Sequence, residues 1–492
     1  MSKSHPGLPV SMISSRPFVM NVRSVSRRRF LHATLAGGAA GHSAAPGLVA
    51  AESSGQFEEP AQKLELREDA DVIVCGAGPA GVSAAITAAR AGAKVRLFEV
   101  HGCLGGVWTA GLLTYIFDFD KPGLTRELTR RLDEREARRS SNPGRFVYEP
   151  EEMKVLLEEM CTETGVTCQL HTRVAAAFRE GGRLRTIITE SKAGRQAWRA
   201  PVFIDATGDG DLGAQAGCEW DIGQEKECPC QPMTLNALAV VRDVKALAPF
   251  MSFNGTDEFQ GPNGHLACME AFKAEIRRAG IEPSYGHPTL FPVREDLVML
   301  MLNHEYGIKP WEAEKISEAT LRGRAEIFRI MRALRKLGGP WEGLQIAATA
   351  EQIGVRDGRR IHGRYKMSRE DLVKGSRQDD AVARVTFGVD IHADSKETNQ
   401  SKPINNGDFK MKPYDIPLRA LIAKDVDGLM MAGRCISGDF ISHASYRVTG
   451  NSVAMGEAAG VVAAIAAKSG RLPHEVSWSE GVAKLKVIGQ RA

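Results

Sequence analysis

The sequence predicts an α/β protein: a domain with a parallel sheet, discontinuous in the chain, with an α+β segment inserted into it. Three observations carry this. Residues 71–100, DVIVCGAGPAGVSAAITAARAGAKVRLFEV, read as strand, glycine turn, helix and second strand. Residues 427–470 bring a second apolar strand followed by a long helix of small residues. Between them, residues 310–339 show helical periodicity, and the stretches MTLNALAVV and ARVTFGVDI are rich in strand formers.

The elements follow in chain order. Residues 1–51 are expected to be an export leader. SVSRRRFLHATLAGGAAG resembles a twin-arginine signal: Ser26, Arg27, Arg28, Phe30 and Leu31 fit S-R-R-x-F-L, an Ala/Gly-rich segment follows, and VAA at 49–51 suits cleavage. This leader carries six of the 64 Lys/Arg and none of the 60 Asp/Glu, which leaves 58 basic against 60 acidic residues. That balance speaks against nucleic acid or an anionic membrane as partner. No run of 18 or more apolar residues marks a spanning segment. The expectation is a periplasmic or secreted protein without an integral membrane segment. Residues 52–67 are expected to be a linker and residues 471–492 a C-terminal tail.

The glycine turn holds Gly76, Gly78 and Gly81 in the spacing G-x-G-x-x-G, with Pro79 and Ala80 inside it. Gly76 permits the sharp turn. Gly78 lets a pyrophosphate approach the backbone, and Gly81 lets the helix pack on the strand. The helix N-terminus then offers free N–H groups and a positive dipole end to the anion. Glu99 closes the second strand, 18 residues after Gly81, where an acid accepts hydrogen bonds from ribose hydroxyls and disfavours a 2′-phosphate. This constellation is a Rossmann-like dinucleotide site, and it does not choose between dinucleotides.

Three further segments do. HGCLGGVWTAG contributes Gly105, Gly106 and Thr109; RAPVFIDATGDGDLGAQAG contributes Ala206 and Gly208; DGLMMAGRCISGDFISHASYRVTGN contributes Gly433 and Arg434. With Q-P-M-T at 231–234 and EQIGVRDGRRIHG at 351–363, residues 70–470 resemble the FAD-dependent oxidoreductase family with a glutathione-reductase-type FAD fold, in a poorly characterised bacterial group. Asp357 and Gly358 depart from that family's pattern, which leaves the role of the acid open. The resemblance implies FAD as cofactor. It implies an FAD-binding domain formed by 68–225 and 405–470, with 226–404 as substrate or cap domain. It places Val174 against adenine through its main chain, Asp439 near the ribityl chain, and Asn451 and Ser452 at the start of a helix facing the flavin.

For the chemistry, His443 is the first candidate general base, on an expected loop SHASYRVTGN, with Arg447 as partner for a carboxylate or for reduced flavin. His392, in DIHAD, is expected on a strand entering the pocket from the second domain. The cofactor carries the redox step and the protein positions it. The expected activity is oxidation, or reduction, of a small molecule by hydride transfer to flavin N5, with oxygen, a quinone or a protein as electron acceptor. A redox-neutral lyase or isomerase acting on carbohydrate and a secreted flavin-containing binding protein stay open as alternatives. His101, Cys103, His443 or a tyrosine could attach the flavin covalently. Of the nine cysteines, Cys75 and Cys435 are expected to be buried, and Cys218, Cys228 and Cys230 are close enough in sequence to form a disulfide. No metal site is expected, since CPC lacks the two-residue gap of usual zinc pairs.

Overall fold

The run of apolar β-formers at 72–75 is fully buried, which only a strand covered on both faces allows. In a computed structural model describing residues 57–139, 144–224, 230–251, 264–401, 404–405 and 409–490, this run is β1 (Val72–Cys75). The twin-arginine segment, its cleavage site and Cys228 lie outside the described residues. Residues 63–492 form one unit, and the description below concerns it alone.

Helix α1 (Pro79–Arg90) follows the turn, with Pro at its first position, where a missing N–H does no harm. Strands β2 (Val95–Phe98), β3 (Thr167–Gln169) and β4 (Val202–Asp205) complete most of a parallel sheet. Its fifth, edge strand is Leu429–Met431, and the order is Leu429–Met431, β4, β1, β2, β3. The chain therefore leaves this sheet after β4 and returns to it more than 220 residues later. An antiparallel layer made by Arg173–Glu180, Arg183–Ser191 and Gly194–Arg199 lies alongside, joined by Leu66–Arg67.

The intervening segment builds a separate antiparallel sheet from β5 (Asn236–Val240), β6 (Thr289–Arg294), β7 (Leu297–Met301) and β8 (Gln345–Thr349), in the order β6-β7-β5-β8. Helix α2 (Ala313–Leu337) turns Ile327, Ile330 and Leu334 toward it. Its hydrophobic cluster, with Leu235, Val298 and Trp341, is distinct from the one that holds Val72, Leu97 and Phe203.

The returning chain supplies β9 (Leu429–Met431), α3 (Phe440–Tyr446) and α4 (Thr449–Ser469). Helix α4 is long and apolar enough to cross a membrane, but 89% of its apolar window is buried inside the protein. It packs on α1 backbone to backbone. A Cβ on Gly456 would stand 2.2 Å from the Ala80 carbonyl oxygen, and one on Gly460 would stand 2.3 Å from that of Ala84. That closeness is the reason for the small residues.

Three local expectations change. The stretch 442–451, expected as a loop, carries most of α3 and the start of α4; Asp439 caps α3 by accepting a hydrogen bond from the Ser442 N–H at 2.7 Å. The polar stretch 395–413, SKETNQSKPINNGDFKMKP, whose Pro and Gly predict a surface loop, begins with a short helix, Lys396–Ser401. Cys218 is a free, buried thiol, whereas Cys230 is disulfide-bonded.

Candidate functional site

The glycine turn is fixed by contacts that tolerate no side chain at two of its three glycines. Gly76 has φ +94°, and a Cβ there would meet the Ala206 carbonyl oxygen at 2.5 Å; a Cβ on Gly81 would stand 1.8 Å from the Gly76 carbonyl oxygen. Gly78 differs. A Cβ there would meet nothing within 4 Å, because Gly78 faces a cavity of about 1530 Å³. The protein itself leaves Gly78 room for a side chain, so a bound group is what needs the space. Beside it, Glu99 accepts hydrogen bonds from the Ala77 N–H at 2.6 Å and the His101 N–H at 3.0 Å, and lines the same cavity. An open backbone cradle with a carboxylate at one side fits the pyrophosphate and ribose of a dinucleotide.

Around this cradle, Pro79, Ala80, Gly106, Val174, Ala206 and Gly208 line the cavity. From the returning chain, Gly433, Arg434 and Ser452 join them. The volume exceeds the 300–1,000 Å³ usual for one small ligand, and the cavity continues past the cradle to the inserted sheet. There it meets His392, Asp390, Arg447 and Arg356.

The first three form a network with Gln231, and Arg356 acts on it through its charge. His392 Nε2 lies 3.3 Å from Asp390 Oδ2, and Arg447 Nη2 is 3.3 Å from the same oxygen. Gln231 Oε1 accepts from the His392 N–H at 3.1 Å and lies 3.4 Å from Arg447 Nη2. Burial, with Arg356 next, pushes the imidazole of His392 down to about 4, against the pull of Asp390. Burial acts to raise Asp390, but His392, Arg447 and Arg356 together hold it below the ordinary carboxylate range. Arg356 is pushed down to about 10, mainly by burial. It is anchored by Nη1, which donates to the Pro232 carbonyl at 2.8 Å and to Thr234 Oγ1 at 2.7 Å.

The model of the FAD dependent oxidoreductase family matches residues 71–487, which span both the cradle and this network. The chain belongs to that family. Its cofactor is FAD, and it is an FAD-dependent oxidoreductase. No curated protein matches the chain significantly. Similar solved structures include a geranylgeranyl bacteriochlorophyll reductase-like protein from Thermoplasma acidophilum (15% identity, TM-score 0.44, 86% of this chain and 84% of that one). Others are p-nitrophenol 4-monooxygenase PnpA from Pseudomonas putida DLL-E4 (12%, 0.42, 86% and 90%) and the flavin-dependent brominase Bmp2 (12%, 0.41, 86% and 84%).

Not every expected site residue of this flavoenzyme reaches the cavity. His443 does not line it: the residue is wholly buried on α3, and burial followed by Arg360 drives its pKa down. Asp439 is occupied as the cap of α3 and as acceptor from the Arg369 N–H at 2.7 Å. Thr109 donates to the Leu104 carbonyl at 2.5 Å, away from the cavity. Gly81, Gly105 and Asn451 also lie behind the lining; Asn451 is fully buried on α4, with both ends of its amide unpartnered among the described residues. Of the residues considered for covalent attachment, His101 lines the cavity and Cys103 does not.

Arg434 reaches the lining and is held by an ion pair with Asp209 at 2.6 Å and by the carbonyls of Gly208 and Val355. This arrangement accounts for Gly358, where a Cβ would stand 2.5 Å from Asp209 Oδ1. Asp357 pairs with Arg360 at 3.1 Å and is buried, so the acid at this position ties segments together away from the cavity. Sequence reasoning missed Arg356, Gln231 and Asn236. The first two lie in the RD and QPMT segments already singled out. Asn236, whose Nδ2 donates to the Gly111 carbonyl at 2.9 Å, leaves its buried Oδ1 unpartnered beside the cavity.

Proposed function

We propose that this flavoenzyme oxidises a small molecule carrying a hydroxyl or amine, with His392 as the group that takes the proton. The observation that carries the reading is one continuous cavity joining the glycine cradle to the His392–Asp390–Arg447 network. Gly78, Glu99, Arg434 and the start of α4 would hold FAD, which supplies the hydride acceptor, its N5, when bound.

The remaining chemistry belongs to the chain. His392 Nε2 faces the Asp390 carboxylate, so the proton of the neutral ring is assigned there. Nδ1 then bears the lone pair, is buried, and has no partner among the described residues. The low pKa keeps the ring unprotonated at neutral pH, as a base must be before it acts. When Nδ1 gains a proton, the imidazolium stands against Asp390, which stabilises it. Arg447, held by the Asp390 carbonyl oxygen at 2.9 Å as well as by its carboxylate, fixes that acid in place.

The wider reading places the chain in the glutathione-reductase-type group, with residues 68–225 and 405–470 as the cofactor domain and 226–404 as its cap. Export by the twin-arginine route is supported by the residue pattern at 26–31, and such an exported enzyme would pass electrons to oxygen, a quinone or a protein. The test is an anaerobic screen of alcohols and amines against the FAD-loaded enzyme, followed at the visible flavin band. The expected result is bleaching by at least one compound, slowed about 10²- to 10⁴-fold in His392→Gln. Equal bleaching rates in both proteins would remove His392 from the role.

A further inference from the structure

Among the described residues, one cation lining the cavity, Arg356, has no carboxylate of its own and makes no ion pair. Its Nη1 is committed to Pro232 and Thr234, and Nη2 meets only the Met301 sulfur, at 3.9 Å. The neighbouring acids are already taken. Asp390 serves both Arg447 and His392, and Asp357 serves Arg360. A charge removed from water is ordinarily paired, and an unpaired one in a concave site is balanced by what binds there.

Part of the wall of the same cavity is aromatic. Tyr115 and Phe291 stack with centroids 5.0 Å apart, Phe117 packs edge-on to Tyr115 at 4.6 Å, and Phe387 meets Phe117 at 5.2 Å. All four line the cavity. They pack on one another into a continuous aromatic wall, against which flat or chain-like apolar groups can lie.

We infer that the substrate is a monocarboxylate with an apolar body, its carboxylate held by Arg356 and its body packed against the aromatic wall of Tyr115, Phe117, Phe291 and Phe387. The planar guanidinium matches a carboxylate better than it matches a spherical anion. A single unbalanced positive charge matches one negative charge, whereas a phosphate dianion would leave the site over-neutralised. The inference rests on the reading that this cavity holds the substrate of a flavin oxidation. Reduced flavin is the one rival counter-charge, and the test separates the two.

The experiment uses FAD-loaded enzyme and reads the perturbation of the visible flavin band on titration with benzoate, phenylacetate and hexanoate, each beside its amide. At least one acid is expected to bind saturably, with its amide about tenfold or more weaker. Arg356→Met is expected to weaken that acid about 10- to 100-fold, the range of a charge-assisted hydrogen bond. Arg356→Lys should recover part of the loss, with FAD content and flavin reduction potential unchanged in both. Acids and amides binding alike, or no acid binding at all, overturns the inference while leaving the flavoenzyme intact. A potential that shifts in Arg356→Met with acid binding untouched overturns it too, and assigns Arg356 to reduced flavin. A preparation that takes up no FAD defeats the underlying reading instead.

Discussion

His392 and Asp390 face each other at 3.3 Å across a single intervening residue, at the strand Ile391–His392, and both line the cavity. The acid is shared with Arg447 and the imidazole is buried, so the pair is a charged group beside a ring held neutral.

The pair makes stability depend on pH. The folded pKa of about 4 lies below the ordinary histidine value of about 6.5. The unfolded chain therefore binds more protons between those two values, and the stabilisation is fully present above about pH 6.5 and lost as pH falls toward 4. At pH 5 the loss from this residue is about 2 kcal/mol. The melting temperature should fall more steeply from pH 7 to pH 5 in the native protein than in His392→Gln. Parallel slopes in thermal melts would contradict the buried, neutral ring.

The glycines of the turn should separate cofactor binding from folding. Gly78→Val puts a side chain where the protein has space but the dinucleotide needs it, so FAD content should drop sharply with little change in the melting temperature of the apoprotein. Gly81→Ala drives a Cβ into the Gly76 carbonyl and should destabilise the apoprotein itself, in the range of about 1–3 kcal/mol for overpacking. Denaturant titrations of the two apoproteins, with FAD quantified after gel filtration, check both arms. A Gly78→Val protein that keeps full FAD would refute the cradle.

Arg434 and Asp209 are joined at 2.6 Å, and burial pushes Asp209 up to about 6. Arg434→Met strands that carboxylate, at a cost of about 3–5 kcal/mol near neutral pH. Arg434 holds the Asp209 pKa down against burial, so without it the carboxyl takes its proton at a higher pH than in the native protein, and the defect should shrink as pH falls toward 6 and be smallest below it. Chemical denaturation of both proteins at pH 7.5 and pH 5 measures this; a defect independent of pH would show that Asp209 is not the group left behind.

The dinucleotide half of the site was readable because its chemistry is local. Gly76, Gly78, Gly81 and Glu99 lie within 24 residues and obey a spacing set by one turn and one helix. The edge strand 429–431 was also legible, since a buried parallel strand announces itself by an apolar run. His443 was misleading for a reason that spacing cannot reveal. It stands four residues before Arg447, which reaches the cavity, yet α3 begins at the Asp439 cap and turns its imidazole into the core. Arg356 and Gln231 sat in noted segments, but nothing in one dimension distinguishes a cavity guanidinium from the neighbouring Arg360, which is spent on Asp357.

The sequence by itself determined a dinucleotide cradle, the acid beside it and the return of the chain to one sheet, because each depends on contacts between near neighbours or on the burial pattern of a single strand. Which polar side chains converge opposite that cradle was decided only by the tertiary structure. His392, Arg356 and Arg447 come from three separate segments, and their pairing with Asp390, or its lack, depends on how the inserted sheet packs over the cofactor domain. Charge balance in a cavity is a property of that packing.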